Sequence, residues 1–282
     1  MSKSILKFDI NYFDNINSFK KAYWLGFLSA DGSLKNNKVQ ICLSDRDHIE
    51  KFKEDLKSEH KISINNYLDK RTNKIYTSYS IQITNKLFTN KLTKYIPINK
   101  SDNFDLPNIK NKFLPYFLAG MMDGDGSFTL NKSNYLVSTI ISTKECLSQI
   151  QDYLLKTLGI NKTKLIRVTE NKPNVWKLYI YKGSSAFLNH IYNLKYEKIY
   201  LTRKIEKYKK IKKCLIENPN KKGLKRRPIK VFDKNGLEII TFPSIKKCIE
   251  YYKISTSTLF NRLKDGKPYK DLIFIGQEII KY

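Results

Sequence analysis

The chain has 282 residues, 41% of them hydrophobic, enough for one large or two modest domains with a real core. Its 53 Lys and Arg stand against 26 Asp and Glu, a net charge of +27 that repels itself unless a polyanion meets it, so nucleic acid is the leading partner. No apolar run could span a bilayer, the basic residues are spread along the chain, and four dispersed cysteines with three histidines form no Cys-x-x-Cys pair: no membrane association, no zinc finger and no disulfide framework are expected.

The opening "MSKSILKFDINYF" lacks the long apolar stretch of a secretion signal, and an Arg-rich transit peptide is not expected. The first apolar helix, "WLGFLSADGS" from Trp24 to Ser33, stops at Asp31-Gly32-Ser33. After it, 38–44 reads as a strand and 45–56 as an amphipathic helix. Strands follow at 60–68 and 76–84, then a helical pattern at 87–96. The connector 101–113, punctuated by Pro107, leads to "LAGMMDGDGS" from Leu118 to Ser127, a second apolar stretch stopping at Asp125-Gly126-Ser127. The order then returns: a strand at 135–142, a helix closing at Gly159, strands at 164–170 and 175–182, a helix with a serine at its start, and a basic helix over 200–216.

Two motif copies therefore head a helix–strand–strand–helix–strand–strand–helix unit repeated after about 95 residues, a duplicated domain rather than a solenoid. The expected class is α+β, a pseudo-twofold αββαββα core with two antiparallel sheets. Its halves are 1–110 and 111–216, followed by a basic linker at 217–228 rich in Asn, Pro, Gly and positive charge. Beyond it, 229–282 reads as a small module. Asn235-Gly236 marks a hairpin, and two short helices at 244–252 and 255–263 each open on a serine able to cap them, a helix-turn-helix pattern.

The repeated sentence carries its own physics. Gly26 and Ala30, like Gly120 and Gly124, lie four apart on one helical face, so small residues let two helix backbones approach unusually closely. Gly32 and Gly126 are expected to supply the left-handed turn ending each helix. Asp31 and Asp125 then sit at the C-terminal ends of two buried helices, where two carboxylates beside two negative dipole ends repel unless cations fill the space. Hard oxygen ligands select Mg²⁺, Ca²⁺ or Mn²⁺, and metals held between carboxylates and a phosphate suggest phosphodiester hydrolysis.

These residues resemble the LAGLIDADG homing endonucleases in their single-chain form with two motif copies, over about residues 15–215. The resemblance implies a saddle of two sheets over the major groove of double-stranded DNA and a monomeric, metal-dependent endodeoxyribonuclease. One phosphodiester is cut in each strand of a long asymmetric site, leaving short 3′ overhangs. It places the metal on Asp31 and Asp125 together with the preceding Ala30 and Gly124. Mg²⁺ is the expected cofactor, Mn²⁺ a substitute, and Ca²⁺ binds without turnover. Ser29 departs from the family's usual Asp, which Asp123 keeps. A basic residue near each site is expected at Lys100, in "IPINKS", with Lys195 or Lys198 as second-half candidates beside a phosphate-steering alternative.

The C-terminal stretch resembles modular DNA-binding repeats of intron-encoded endonucleases. Ser255, Thr256, Ser257 and Asn261 are then expected near base edges, with Arg262 and Lys264 near phosphates and Arg226 and Arg227 on the linker. A helical pair that merely packs on the core is the other possibility. An RNA maturase assisting a host intron, a bifunctional protein and a catalytically dead DNA-binding module remain alternatives. The expected location is intracellular, in the mitochondrion or plastid that encodes the protein, consistent with heavy use of Asn, Ile, Lys and Tyr.

Overall fold

A computed structural model describes residues 6–131, 135–169, 174–217 and 229–276, which divide between two units, Met1–Glu217 and Asn218–Tyr282. The first half of the first unit runs α1 (Phe19–Asp31), β1 (Ser33–Lys35), β2 (Lys38–Leu43), α2 (Arg46–Asp55), β3 (Ser63–Asp69), β4 (Lys74–Thr84) and α3 (Lys86–Leu92). The second half repeats it with α4 (Leu114–Gly124), β5 (Ser127–Leu130), β6 (Leu136–Ser142), α5 (Lys144–Leu158), β7 (Thr163–Arg167), β8 (Trp176–Ile180) and α6 (Ser184–Ile191), and adds α7 (Thr202–Glu217).

Each half builds a four-stranded antiparallel sheet, β1-β2-β4-β3 and β5-β6-β8-β7. The two-residue period of a strand sorts the faces. Val39, Ile41, Ile81 and Ile83 are buried in the first sheet, as are Leu136, Ile140, Leu178 and Ile180 in the second. The alternating residues face away. One hydrophobic core runs through both halves, joining Trp24 and Phe27 to Phe117, Phe128 and Tyr192.

Local chemistry accounts for many of the element ends. Asn85 caps α3 by accepting from Phe88 N–H, and Thr143 caps α5 by accepting from Cys146 N–H. Gly159 closes α5 at φ 64°, a left-handed residue beyond a helix end. Ser184 opens α6 but does not cap it; its hydroxyl bonds Ile180 O and Ser138 Oγ, both at 2.8 Å. The motif glycines correct the expectation of a left-handed turn. Gly32 is extended at φ −72°, and Gly126 is not among the positive-φ glycines. Space is what excludes a side chain there: a Cβ on Gly32 would lie 2.5 Å from Leu28 O, and one on Gly126 2.4 Å from Met122 Sδ.

The second unit holds β9 (Ile229–Phe232), β10 (Glu238–Phe242), α8 (Ile245–Tyr252), α9 (Thr256–Asp265) and β11 (Ile273–Gly276). Its sheet order is β10-β9-β11, so the expected hairpin gains a third strand that sequence reading did not assign. Ser244 and Ser255 cap α8 and α9 by accepting from Lys247 and Thr258 N–H. Among the described residues no helix is long and apolar enough to cross a membrane.

Candidate active site

The site forms where α1 and α4 meet. Past their first turns both helices are buried all round, over Ala22–Ser29 and Phe117–Asp123. Their contact is made of backbone. A Cβ on Gly26 would sit 1.9 Å from Phe117 O, and one on Gly120 2.1 Å from Tyr23 O. One turn on, a Cβ on Gly124 would stand 2.5 Å from Ala30 Cβ and 3.5 Å from Asp31 Cγ. The small-residue face therefore sets the helix separation, and the two C-terminal ends arrive side by side.

Asp31 is the last residue of α1 and Asp125 the C-cap of α4. Burial and the neighbouring Asp125 charge push the Asp31 carboxyl up to about 6, against the opposing charges of Lys204, Lys100 and Arg203. The pair is thus an electrostatically unfavourable acidic centre. Among the described residues no group of three or more His, Cys, Asp or Glu gathers as a metal cluster; Asp31 and Asp125 interact as a pair. Two hard oxygen donors that repel each other suit a hard divalent cation. The carbonyls of Ala30 and Gly124 each accept from a lysine ammonium, at 2.5 and 3.1 Å.

Those ammoniums belong to Lys100 and Lys204. Lys100 Nζ donates to Leu28 O, Ser29 O and Ala30 O at the C-terminal end of α1, Leu28 O also accepting from Gly32 N–H. Lys204 Nζ, on α7, donates likewise to Met122 O, Asp123 O, Gly124 O and Gly126 O at the end of α4. Burial pulls each amine down to about 8 while the nearby aspartates oppose the shift. The second-half basic residue is therefore Lys204, correcting the expectation of Lys198. Lys198 is exposed in a 3₁₀ turn (Leu194–Ile199), and Lys195 is exposed over the Tyr196 ring. A sequence signal did exist: "IPINK" and "YLTRK" both set two hydrophobic residues ahead of the lysine.

The departure at Ser29 also has a structural answer. Asp123 is fully buried and accepts from Tyr23 Oη (2.6 Å), Tyr192 Oη (2.6 Å) and Leu201 N–H (2.8 Å). The positions matching Tyr23 and Leu201 in the other half are Phe117, without a hydroxyl, and Pro97, without an N–H. With two of three donors missing, a buried carboxylate would be stranded there. Ser29 instead donates to Gly26 O at 2.7 Å. Tyr23 Oη also meets His48 Nε2 at 3.1 Å, and since the tyrosine proton goes to Asp123, His48 donates. We expect Asp123→Ala to cost about 3 kcal/mol or more by orphaning two buried hydroxyls and one N–H. A urea titration measures it; a midpoint unchanged from the parent protein would show that the network adds nothing.

The module residues fare differently. Ser255 Oγ is spent on its own helix, accepting from Thr258 N–H and bonding Ser257 Oγ. Thr256, Ser257, Asn261 and Lys264 are exposed. Arg262, expected near phosphates, is half-buried and pairs with Asp265 at 3.2 Å. Arg226 and Arg227, with the rest of the basic linker, lie outside the described residues.

Comparison with known proteins agrees with the second half of the core. Residues 113–192 match the LAGLIDADG-like domain, so the chain carries such a domain. An uncharacterized protein of Methanocaldococcus jannaschii is 30% identical over 146 residues, 49% of this chain and 54% of that protein. The chain thus spans about half the length of that curated relative. Among solved structures, the homing endonuclease I-WcaI bound to its DNA recognition sequence aligns over 68% of this chain and 92% of its own, at 13% identity and a TM-score of 0.47. The meganuclease I-SmaMI bound to uncleaveable DNA aligns over 70% and 90%, at 15% identity and the same TM-score. The N-terminal LAGLIDADG domain of DUF199/WhiA aligns over 64% and 87%, at 20% identity and a TM-score of 0.43.

Proposed function

We propose that this protein is a site-specific double-strand DNA endonuclease that hydrolyses one phosphodiester in each strand at the paired ends of α1 and α4. One observation carries the reading: a backbone-to-backbone helix contact brings Asp31 and Asp125, from two halves of one chain, to a single acidic centre. Lys100 and Lys204 donate to helix carbonyls rather than to the carboxylates, and their nearby charges offset the repulsion between Asp31 and Asp125 only in part. Two carboxylates from two pseudo-equivalent halves suit two chemically equivalent strands.

The sheets supply the platform. β1 and β5 begin two residues after Asp31 and Asp125, so each sheet extends outward from the centre, ending at β3 and β7. With a net charge of +27 and antiparallel strands offering side chains at regular spacing, they suit a duplex crossing the centre. Mg²⁺ held by Asp31 and Asp125 would supply charge stabilisation at the phosphate, and Mn²⁺ could replace it. The chain's own residues hold the carboxylates in place. Gly26 and Gly120 set their separation, while Lys100 and Lys204 pin the helix ends and offset the dipoles.

The test is to incubate the purified full chain with a plasmid library of candidate target sequences. We expect one linearised species in Mg²⁺, binding without cutting in Ca²⁺, whose larger size and looser geometry suit it less to the reaction. Cutting that persists in excess EDTA would overturn the metal-dependent reading. Protection of an intron RNA with no DNA cut under any condition would favour the maturase.

A further inference from the structure

The two sheets turn different chemistry outward. On the first sheet the face opposite the core carries Gln40, Gln82 and Asn65, placed there by the pairings Gln40↔Gln82 and Asn65↔Ser78, together with the stacked Tyr67 and Tyr76; Gln82 Nε2 also donates to Thr84 Oγ1 at 3.2 Å. These amides can make paired hydrogen bonds to the adenine edge in a major groove. On the second sheet the pairings Thr139↔Tyr179, Ile141↔Lys177, Lys164↔Tyr179 and Ile166↔Lys177 define the matching face. It presents Val137, Ile141, Ile166 and Tyr179, and Tyr181 stacks on Tyr179 at 5.8 Å. Ile166 is 37% exposed and Tyr181 46% exposed, although the hydrophobic core lies on the other side.

No amide or carboxylate side chain occupies that face among the described strand residues. Its serine and threonine hydroxyls are engaged locally, Ser127 with Thr139 at 3.1 Å and Thr129 with Leu130 O at 3.3 Å, which leaves the phenols of Tyr179 and Tyr181 as its other hydroxyl groups. Its charges are the cations Lys164 and Lys177, the latter 5.4 Å from the Tyr179 ring centroid. Cations flanking an apolar surface complement a polyanion that displays methyl groups. In a DNA major groove the methyl group belongs to thymine.

We propose that the second sheet reads a thymine-rich half-site through its C5-methyl groups, while the first sheet reads the other half-site through amide hydrogen bonds. This rests on the endonuclease reading and assigns the chemistry of each half of its substrate. It makes recognition asymmetric although the backbone is duplicated.

Deoxyuridine in place of thymidine tests it, because it deletes the methyl and keeps every hydrogen-bonding group. Bound duplexes are first selected from a random-sequence library with the full-length protein. An iron chelate on exposed Cys42, in a Cys214→Ser background, marks by local strand cleavage the half lying under the first sheet. Cys42 pairs with Ser80 on that sheet's outward face. Uracil in the opposite half should weaken binding about fourfold for each methyl that was buried. Uracil in the marked half should change binding much less. Ile166→Gln, at an exposed edge-strand position, should abolish part of the methyl dependence and leave the melting temperature unchanged.

Equal sensitivity of both halves, or none in the unmarked half, overturns the assignment while leaving the nuclease reading intact. Failure to enrich any duplex overturns both.

Discussion

On the proposed reading, Asp31→Asn and Asp125→Asn should each cut double-strand cleavage by a factor on the order of 10²–10³ or more, the scale on which a lost charge-stabilising group registers. Binding of the uncut duplex survives, because Asn keeps the size of Asp and the sheets are untouched. Stability supplies the second readout. The Asp31 carboxyl is pushed up to about 6 by burial and by Asp125, so its ionised form is disfavoured in the folded chain. Neutral Asn relieves that repulsion, and the melting temperature at neutral pH should hold or rise. A structural aspartate behaves oppositely, losing stability along with activity. A single variant that cuts both strands at the parent rate would remove the two-carboxylate centre.

Gly120→Ala, like Gly26→Ala across the same contact, should be among the most damaging single methyls in the core. The new Cβ would stand 2.1 Å from Tyr23 O and 2.6 Å from Phe27 N, both backbone atoms of a buried helix that no rotamer change can move aside. Relief requires separating α1 from α4, which also parts Asp31 from Asp125. The expected cost is about 3 kcal/mol or more, at or beyond the upper end of ordinary overpacking. Gly159→Ala is the control. Its φ of 64° strains an added Cβ by about 1–2 kcal/mol, but nothing lies within 4 Å of it. Thermal melts of the two variants separate steric from conformational cost. If Gly120→Ala melts no lower than Gly159→Ala, the helices do not meet as described.

Much of this molecule is legible in one dimension because the forces that set it are local. Helix periodicity and capping serines place α8 and α9, and Gly159 closes α5 by a left-handed residue that its own sequence neighbours require. The spacing of Gly26 with Ala30 and Gly120 with Gly124 marks a helix face that tolerates only close backbone, and the Asp after it marks where a charge must stand. What a linear reading misses depends on groups brought together from far apart. Lys204 rather than Lys198 reaches the second motif, because only the packing of α7 against the end of α4 decides which lysine meets the carbonyls of Met122, Asp123, Gly124 and Gly126. Gly32 and Gly126 are glycines for lack of room beside Leu28 and Met122, not for a left-handed turn. Asp123 and Ser29 occupy the same place in the two motifs, yet which one can be a buried carboxylate depends on donors more than sixty residues away in sequence: Tyr192 Oη and Leu201 N–H on one side, and on the other Pro97, which has no proton to give.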